Sequence, residues 1–472
     1  MKSISPQISE GLYVLIKSLK KSEKRSFKLF INKQNKIDGQ NTYLGLFNAI
    51  DKQDVYNEQL LLKKLKFSQR KLSYTKHLLY ELILKSLRHL HDEQNPNFKL
   101  RTLLDNIEIL YQKALYRQSY KMLIKAKQLA LDTDNYSYIP DLLRWSSQLF
   151  FHIPGIVEQY NAPQLPEEHN KITHKLYQEL VLKGIRDAIL CFQIKTPVVS
   201  TSDELTHLKI LINHPILKAN PNDFTLQAKM AYYEALGVYS QLINDLNNAC
   251  HYYEQLVGLW ENRKDFLVSL GYQYQQHVFV FLKLHMITRR HLNFEQWFVK
   301  LDNAPMANPQ EEAERLTLSL GLKKLYEFLY KKELDIENEI EVMQNLSVQN
   351  NASSFTLNYY LCLVYFSQKK LRKTTLHLNN IFYHPQYKLL SVKQKGFVKI
   401  LELMLHYDLD NTMIVDHLHK SVYRFIHKHR DEADFERMVI KYLKKLYNTP
   451  EKNTILLAFK KELQVFPKGA IP

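Results

Sequence analysis

The segment Asp416-His417-Leu418-His419, followed by His427-Lys428-His429, holds the densest group of side chains able to bind a metal ion or move a proton. On one helix a His-x-His pair points about 200° apart, so neither pair can chelate as the i, i+4 histidines of HExxH do. With Lys420, Arg424, Lys428 and Arg430 around them, these histidines read as part of a basic face that gains charge below about pH 6.5. The paired carboxylates Glu167-Glu168 and Glu311-Glu312 could serve as acid and base. They follow Pro166 and Pro309, where a carboxylate stabilises the first turn of a helix, and capping is the reading adopted.

Phosphate-cradling loops need clustered glycines so that the backbone can approach the anion. Only 11 glycines occur in 472 residues and no two are closer than Gly39 and Gly45, which rules out GxGxxG, GxxxxGK[ST] and GxSxG. The three cysteines, Cys191, Cys250 and Cys362, are too far apart in sequence for a metal knuckle and odd in number, which favours a reducing compartment. No catalytic, cofactor-binding or metal-ligating set emerges, and a non-enzymatic protein without cofactor is expected. An enzyme would need acids or histidines converging from distant positions.

The formal charge is +17, and residues 1–100 hold 19 Lys and Arg against 9 Asp and Glu, a net +10 in about a fifth of the length. Such a surface suits nucleic acid, an acidic protein or an anionic membrane surface. Within that region, Asn57 to Leu65 reads as a short helix bearing Lys63 and Lys64, with a turn at Lys66-Phe67. Ser68 to Lys76, with Arg70 and Lys71, then opens a long helix. This could be a helix-turn-helix that touches nucleic acid, or a basic contact for an acidic partner.

These side chains must be positioned by helices, because the scarcity of glycine and the abundance of Leu, Lys and Gln favour an all-α chain. Leu78, Leu79, Leu82, Ile83, Leu87 and Leu90 draw one apolar stripe, predicting a helix from about Ser68 to Asp92. The capping-box spacing of Thr201-Ser202-Asp203-Glu204 predicts another start. Roughly twenty helices are expected on this reading. The organisation expected is a basic helical region over 1–95 and a helical array over 96–472. An irregular segment near 153–166 and a linker at Thr196–Ser200 interrupt it.

Within the array, large and small residues alternate at fixed spacing. Tyr233, Leu236 and Gly237 are followed by a turn around Asn244-Asp245, then Ala249, Tyr253 and Leu256. Ile107, Leu110, Ser119, Leu123, Ala126 and Ala130 form a second set, with Ser119 and Ala126 small and Tyr116 at the turn. Leu361, Cys362, Tyr365, Thr374, Leu378 and Ile381, closed by Pro385, form a third. The pattern resembles the tetratricopeptide repeat, a helix–turn–helix unit of about 34 residues in which small residues let two helices approach closely. Ser240 stands where that family has an aromatic, and Thr374 where it has alanine. The resemblance implies antiparallel hairpins stacked as an α-solenoid, with a concave groove for a protein or peptide partner. One tyrosine of each adjacent pair is expected in the core and the other at such a surface.

The expectation is therefore a cytoplasmic scaffold or adaptor that binds a protein or peptide. A nucleic-acid-associated regulator using Lys63, Lys64, Lys66, Arg70 and Lys71 is the alternative. A small-molecule substrate is not expected, and no window approaches the ~18 uncharged apolar residues that cross a bilayer.

Overall fold

A computed structural model describes residues 5–33, 40–92, 95–153, 165–195, 199, 202–263, 266–306, 308–330, 352–390, 392–429, 434–448 and 452–465. Among the described residues there are 21 α-helices and no strand, so the fold is all-α. Most of the expected irregular stretch at 153–166, and the Thr196–Ser200 linker apart from Val199, lie outside the described residues.

The helices are α1 Ser5–Ser18, α2 Lys21–Lys33, α3 Gln40–Asp51, α4 Glu58–Leu65, α5 Gln69–Asp92, α6 Pro96–Gln112, α7 Tyr116–Asp132 and α8 Ile139–Phe150. Then come α9 Leu165–Lys195, α10 Ser202–Ile212, α11 Leu226–Leu242, α12 Leu246–Asn262, α13 Leu267–Ile287, α14 Phe294–Asp302 and α15 Pro309–Tyr330. The chain continues with α16 Ala352–Ser367, α17 Leu371–Tyr383, α18 Val392–Asp408, α19 Thr412–Lys428, α20 Asp434–Asn448 and α21 Lys452–Val465. Prolines punctuate as proline must. Pro96 and Pro309 open α6 and α15, where a missing N–H costs no helical hydrogen bond.

The chain divides into two compact units. The first comprises Met1–Gln178, Lys264–Gly271 and Pro305–Glu312, and the second Glu179–Arg263, Tyr272–Ala304 and Ala313–Pro472. In the first unit, α1 to α5 close around Leu12, Phe27, Ile31, Phe47 and Leu79, while α6 to α8 bury Leu123, Leu142 and Trp145. In the second, separate cores join α9 to α11, α16 to α18, and α18 to α20.

Among the described residues, seven helix ends close through one recurrent turn. Lys66, Ala114, Asp134, Asn244, Arg289, Lys369 and Asp410 all have φ between 53° and 58°, and each sits between two helices. After each, the next N–H reaches back five residues, as in Leu115 N to Leu110 O (2.9 Å), Asp245 N to Ser240 O (2.8 Å) and Lys370 N to Tyr365 O (2.9 Å). This Schellman closure satisfies a carbonyl that the helix end leaves without a partner. It requires a left-handed residue, the position where glycine is at least cost, yet no glycine occupies any of the seven.

The three small-residue hairpins share a register set by that turn. The left-handed residue falls seven positions after the first crossing residue (114 − 107, 244 − 237, 369 − 362) and five before the second (119, 249, 374). The crossing partners are therefore Ile107 with Ser119, Gly237 with Ala249, and Cys362 with Thr374. Ser119, Ala249 and Thr374 are fully buried. The Ser119 and Thr374 hydroxyls cost little there, because Ser119 Oγ donates to Ile107 O (2.9 Å) and Thr374 Oγ1 to Lys370 O (3.1 Å). Thr374 thus does what alanine would.

Strain at these turns is measurable. Ala114 is exposed and has a left-handed backbone, so Ala114→Gly should raise stability by about 0.5–1 kcal/mol, the relief of strain exceeding glycine's extra unfolded entropy. Urea denaturation checks this, and a loss of stability would show that the turn carries no strain.

Candidate partner-binding groove

Two further hairpins have large residues at the crossing positions: Leu282 with Phe294 around Arg289, and Leu403 with Val415 around Asp410. The second of these joins α18 to α19. A hollow of about 630 Å³ lies there, floored by Leu403, Val415 and Leu443 and completed by α20. An adjoining hollow of about 330 Å³ shares His419, Tyr423 and Lys444 and runs on to Ile426 and Ile440.

The walls are cationic. Lys420 and Arg424, one turn apart on α19, and Lys444 on α20 flank the larger hollow, against the single acid Asp416. These three make no ion pair among the described residues. Arg424 Nε donates to the carbonyl of Lys420 (3.3 Å), which steadies the guanidinium stem. Lys441, beside the smaller hollow, lies 3.4 Å from Glu462.

His419 faces the groove while His417 is exposed, the divergence expected of a His-x-His pair on a helix. Its Nε2 is buried and has no hydrogen-bond partner in the protein. Burial, then the charge of Lys444, pushes the His419 pKa below the usual imidazole value, with Asp416 opposing. His419, part of the basic face expected here, is thereby held toward its neutral form, a ring that can both donate and accept. Among the described residues no group of His, Cys, Asp and Glu could hold a metal ion.

Two buried polar clusters elsewhere resemble catalytic pairs. Trp260 Nε1 donates to His277 Nδ1 (2.9 Å), which leaves the His277 proton on Nε2, 3.1 Å from Glu234 Oε1. Burial works to raise the Glu234 pKa, but the neighbouring His277 imidazole, joined by Arg186, brings it below the ordinary carboxylate value. Nδ1 is thus taken by Trp260, and Nε2 faces the Glu234 carboxylate rather than a hydroxyl or thiol. His285 is used likewise, between the carbonyl of Phe281 (2.9 Å) and Glu254 (3.0 Å). These clusters tie helices together. The carboxylate pairs lie at helix starts: Glu167 in the first turn of α9, and Glu311 and Glu312 in the first turn of α15, where Asn308 Oδ1 caps Glu311 N (2.9 Å).

Of the residues expected to pack the repeat, Leu236, Gly237, Ala249, Tyr253, Ser119 and Ala126 are buried, and Tyr233 is half-buried. Tyr253, Tyr274 and Tyr360 are the core members of their pairs, but Tyr232 and Tyr233 are both half-buried and stack edge-on at 5.3 Å.

Lys63, Lys64, Lys66, Arg70 and Lys71 are all exposed on α4, its turn and α5. Asn57 caps α4 by accepting from Leu60 N (3.1 Å), and Ser68 Oγ accepts from Lys71 N (3.3 Å) at the start of α5. Glu58 braces the corner, bonded to the buried Lys76 and to Gln69 (2.6 Å), both on α5. The bonded Lys76 ammonium holds the Glu58 carboxyl below its usual pKa despite burial.

No helix among the described residues is long and apolar enough to cross a membrane. Comparison with known proteins gives no similarity on which to lean: no family model, curated protein or solved structure matches this chain.

Proposed function

We propose that this protein is a non-enzymatic adaptor built of tetratricopeptide-like hairpins, and that the groove between α18, α19 and α20 seats an acidic protein segment. The observation that supports this most is the pairing of an apolar floor (Leu403, Val415, Leu443) with three cations that form no ion pair among the described residues (Lys420, Arg424, Lys444). Apolar floor and charged rim are the two parts of a recognition surface: the floor contributes burial, and the rim fixes charge and orientation. A segment carrying one or two aliphatic side chains beside Asp or Glu fits both, and His419 can bond to its backbone.

The test is affinity capture from the native cell, comparing wild type with Lys420→Glu/Arg424→Glu/Lys444→Glu under nuclease treatment. The triple variant should lose an acidic partner by roughly 30-fold in affinity, about 2 kcal/mol. Identical capture by wild type and variant, or a captured set that vanishes with nuclease, would remove the groove from the account.

A further inference from the structure

The first unit carries a second charged surface whose chemistry differs from that of the groove. The corner made by α4, the residues 66–68 and the opening of α5 presents Lys63, Lys64, Lys66, Arg70 and Lys71 to solvent. The exposed stripe of α5 continues through Ser73, Tyr74 and His77 before its first acid, Glu81, which lies 11 residues beyond Arg70, or roughly 16 Å at 1.5 Å per residue. Lys85 and Arg88 extend the stripe further. We propose that this corner is a docking face for duplex nucleic acid, with the first turns of α5 set against a groove and the flanking lysines on the phosphates.

Three observations carry it. The first is shape: an eight-residue helix, a turn of three residues and a second helix whose exposed opening is polar and cationic form a corner that projects one helix forward. An α-helix is about 10–12 Å across with its side chains, and a B-form major groove about 12 Å wide. The second is rigidity. Leu61, Leu72, Leu79 and Ile83 bury the inner side of the corner in the α1–α5 core, and Glu58 locks α4 to Lys76 and Gln69. The outer side chains are therefore held on a fixed frame, and the Glu58 carboxylate is spent on a buried lysine.

The third is sign. The exposed face over the first three turns of α5 and the end of α4 carries five cations and no acid, and Lys71 is stacked 4.8 Å over the Phe67 ring. An acidic protein surface interleaves carboxylates with other groups. A duplex presents one negative charge per about 1.7 Å of axis, the repeating field that an uninterrupted cationic face matches.

The experiment measures binding of the full-length protein to a mixed-sequence 30-base-pair DNA duplex by fluorescence anisotropy between 50 and 200 mM salt. Five phosphate contacts imply a slope of log K against log salt near −4.5, a loss of roughly 500-fold over that range. Lys63→Glu/Lys64→Glu/Arg70→Glu/Lys71→Glu should weaken binding at least 100-fold while keeping the wild-type helical circular dichroism. Lys460→Glu/Lys461→Glu, exposed on α21 in the second unit, should bind as wild type does. No binding at 50 mM, a slope shallower than about −2, an unaffected quadruple variant, or a tenfold preference for the single strand would each overturn the proposal. The groove on α18–α20 would stand untouched by any of these results.

Discussion

Gly237→Leu should lower stability by about 3 kcal/mol or more, above the ordinary range for overpacking. A Cβ at this position would lie 2.8 and 2.9 Å from Cε2 and Cδ2 of Tyr253 and 3.6 Å from Cβ of Tyr252. Tyr253 is only 3% exposed, so its ring has no open space into which to turn. The leucine side chain must either expel that ring or part α11 from α12. Gly237→Ala should cost less, because alanine recovers about 1 kcal/mol of helix propensity. Fluorescence of Trp260, buried on α12, reports the transition once Trp145 and Trp297 are replaced by phenylalanine. In a double-mutant cycle, Tyr253→Ala should relieve much of the Gly237→Leu penalty, since the two changes share one volume. An unchanged denaturation midpoint for Gly237→Leu would show that the hairpin does not depend on this close approach.

Gly271→Ala should be comparably severe for a different reason. There the added Cβ would fall 1.8 Å from the carbonyl oxygen of Pro305, a backbone atom that cannot rotate away. To reach even a 3.0 Å contact, the start of α13 or the segment around Pro305 must move by about 1 Å, and the bond from Lys20 Nζ to the carbonyl of Met306 moves with it. The helix is already bent here, with Leu270 at φ −127° and ψ 26°. The expected loss is about 3 kcal/mol, read as an earlier thermal transition, and any larger side chain should do worse. A neutral Gly271→Ala would mean that the Pro305 segment yields freely.

Much of the helical frame was legible in the sequence because helix signals are local. Ser68, Asn57, Pro96 and Pro309 announce their helices through capping oxygens or a missing N–H, and the stripe from Leu78 to Leu90 fixed α5 to within one residue of its observed start. Gly237 and Ala249 were legible for the same reason, as two small residues twelve apart. The turns were harder to see, since the usual sign of a Schellman closure is glycine and this chain uses Ala114, Arg289, Lys369 and others instead. The groove lay beyond local reading altogether. Its floor joins Leu403 to Leu443, forty positions on, and it opens where the small-residue signature is missing. A search for small residues finds the closed hairpins and passes over this open one. The signal available was negative: Leu403 and Val415 occupy the same two places relative to Asp410 that Gly237 and Ala249 occupy relative to Asn244.

The non-glycine turns also separate geometry from chemistry at the tips of the hairpins. Because the backbone alone makes the closing hydrogen bonds, the left-handed residue's side chain takes no part in them, and Lys, Ala, Asp, Asn and Arg all serve. Each tip side chain is therefore free for other contacts: Lys369 pairs with Asp408 (2.6 Å), and the Arg289 guanidinium lies 4.9 Å over the Tyr330 ring. The closure itself asks only for a left-handed backbone, while the positions seven before it and five after it set how the two helices meet.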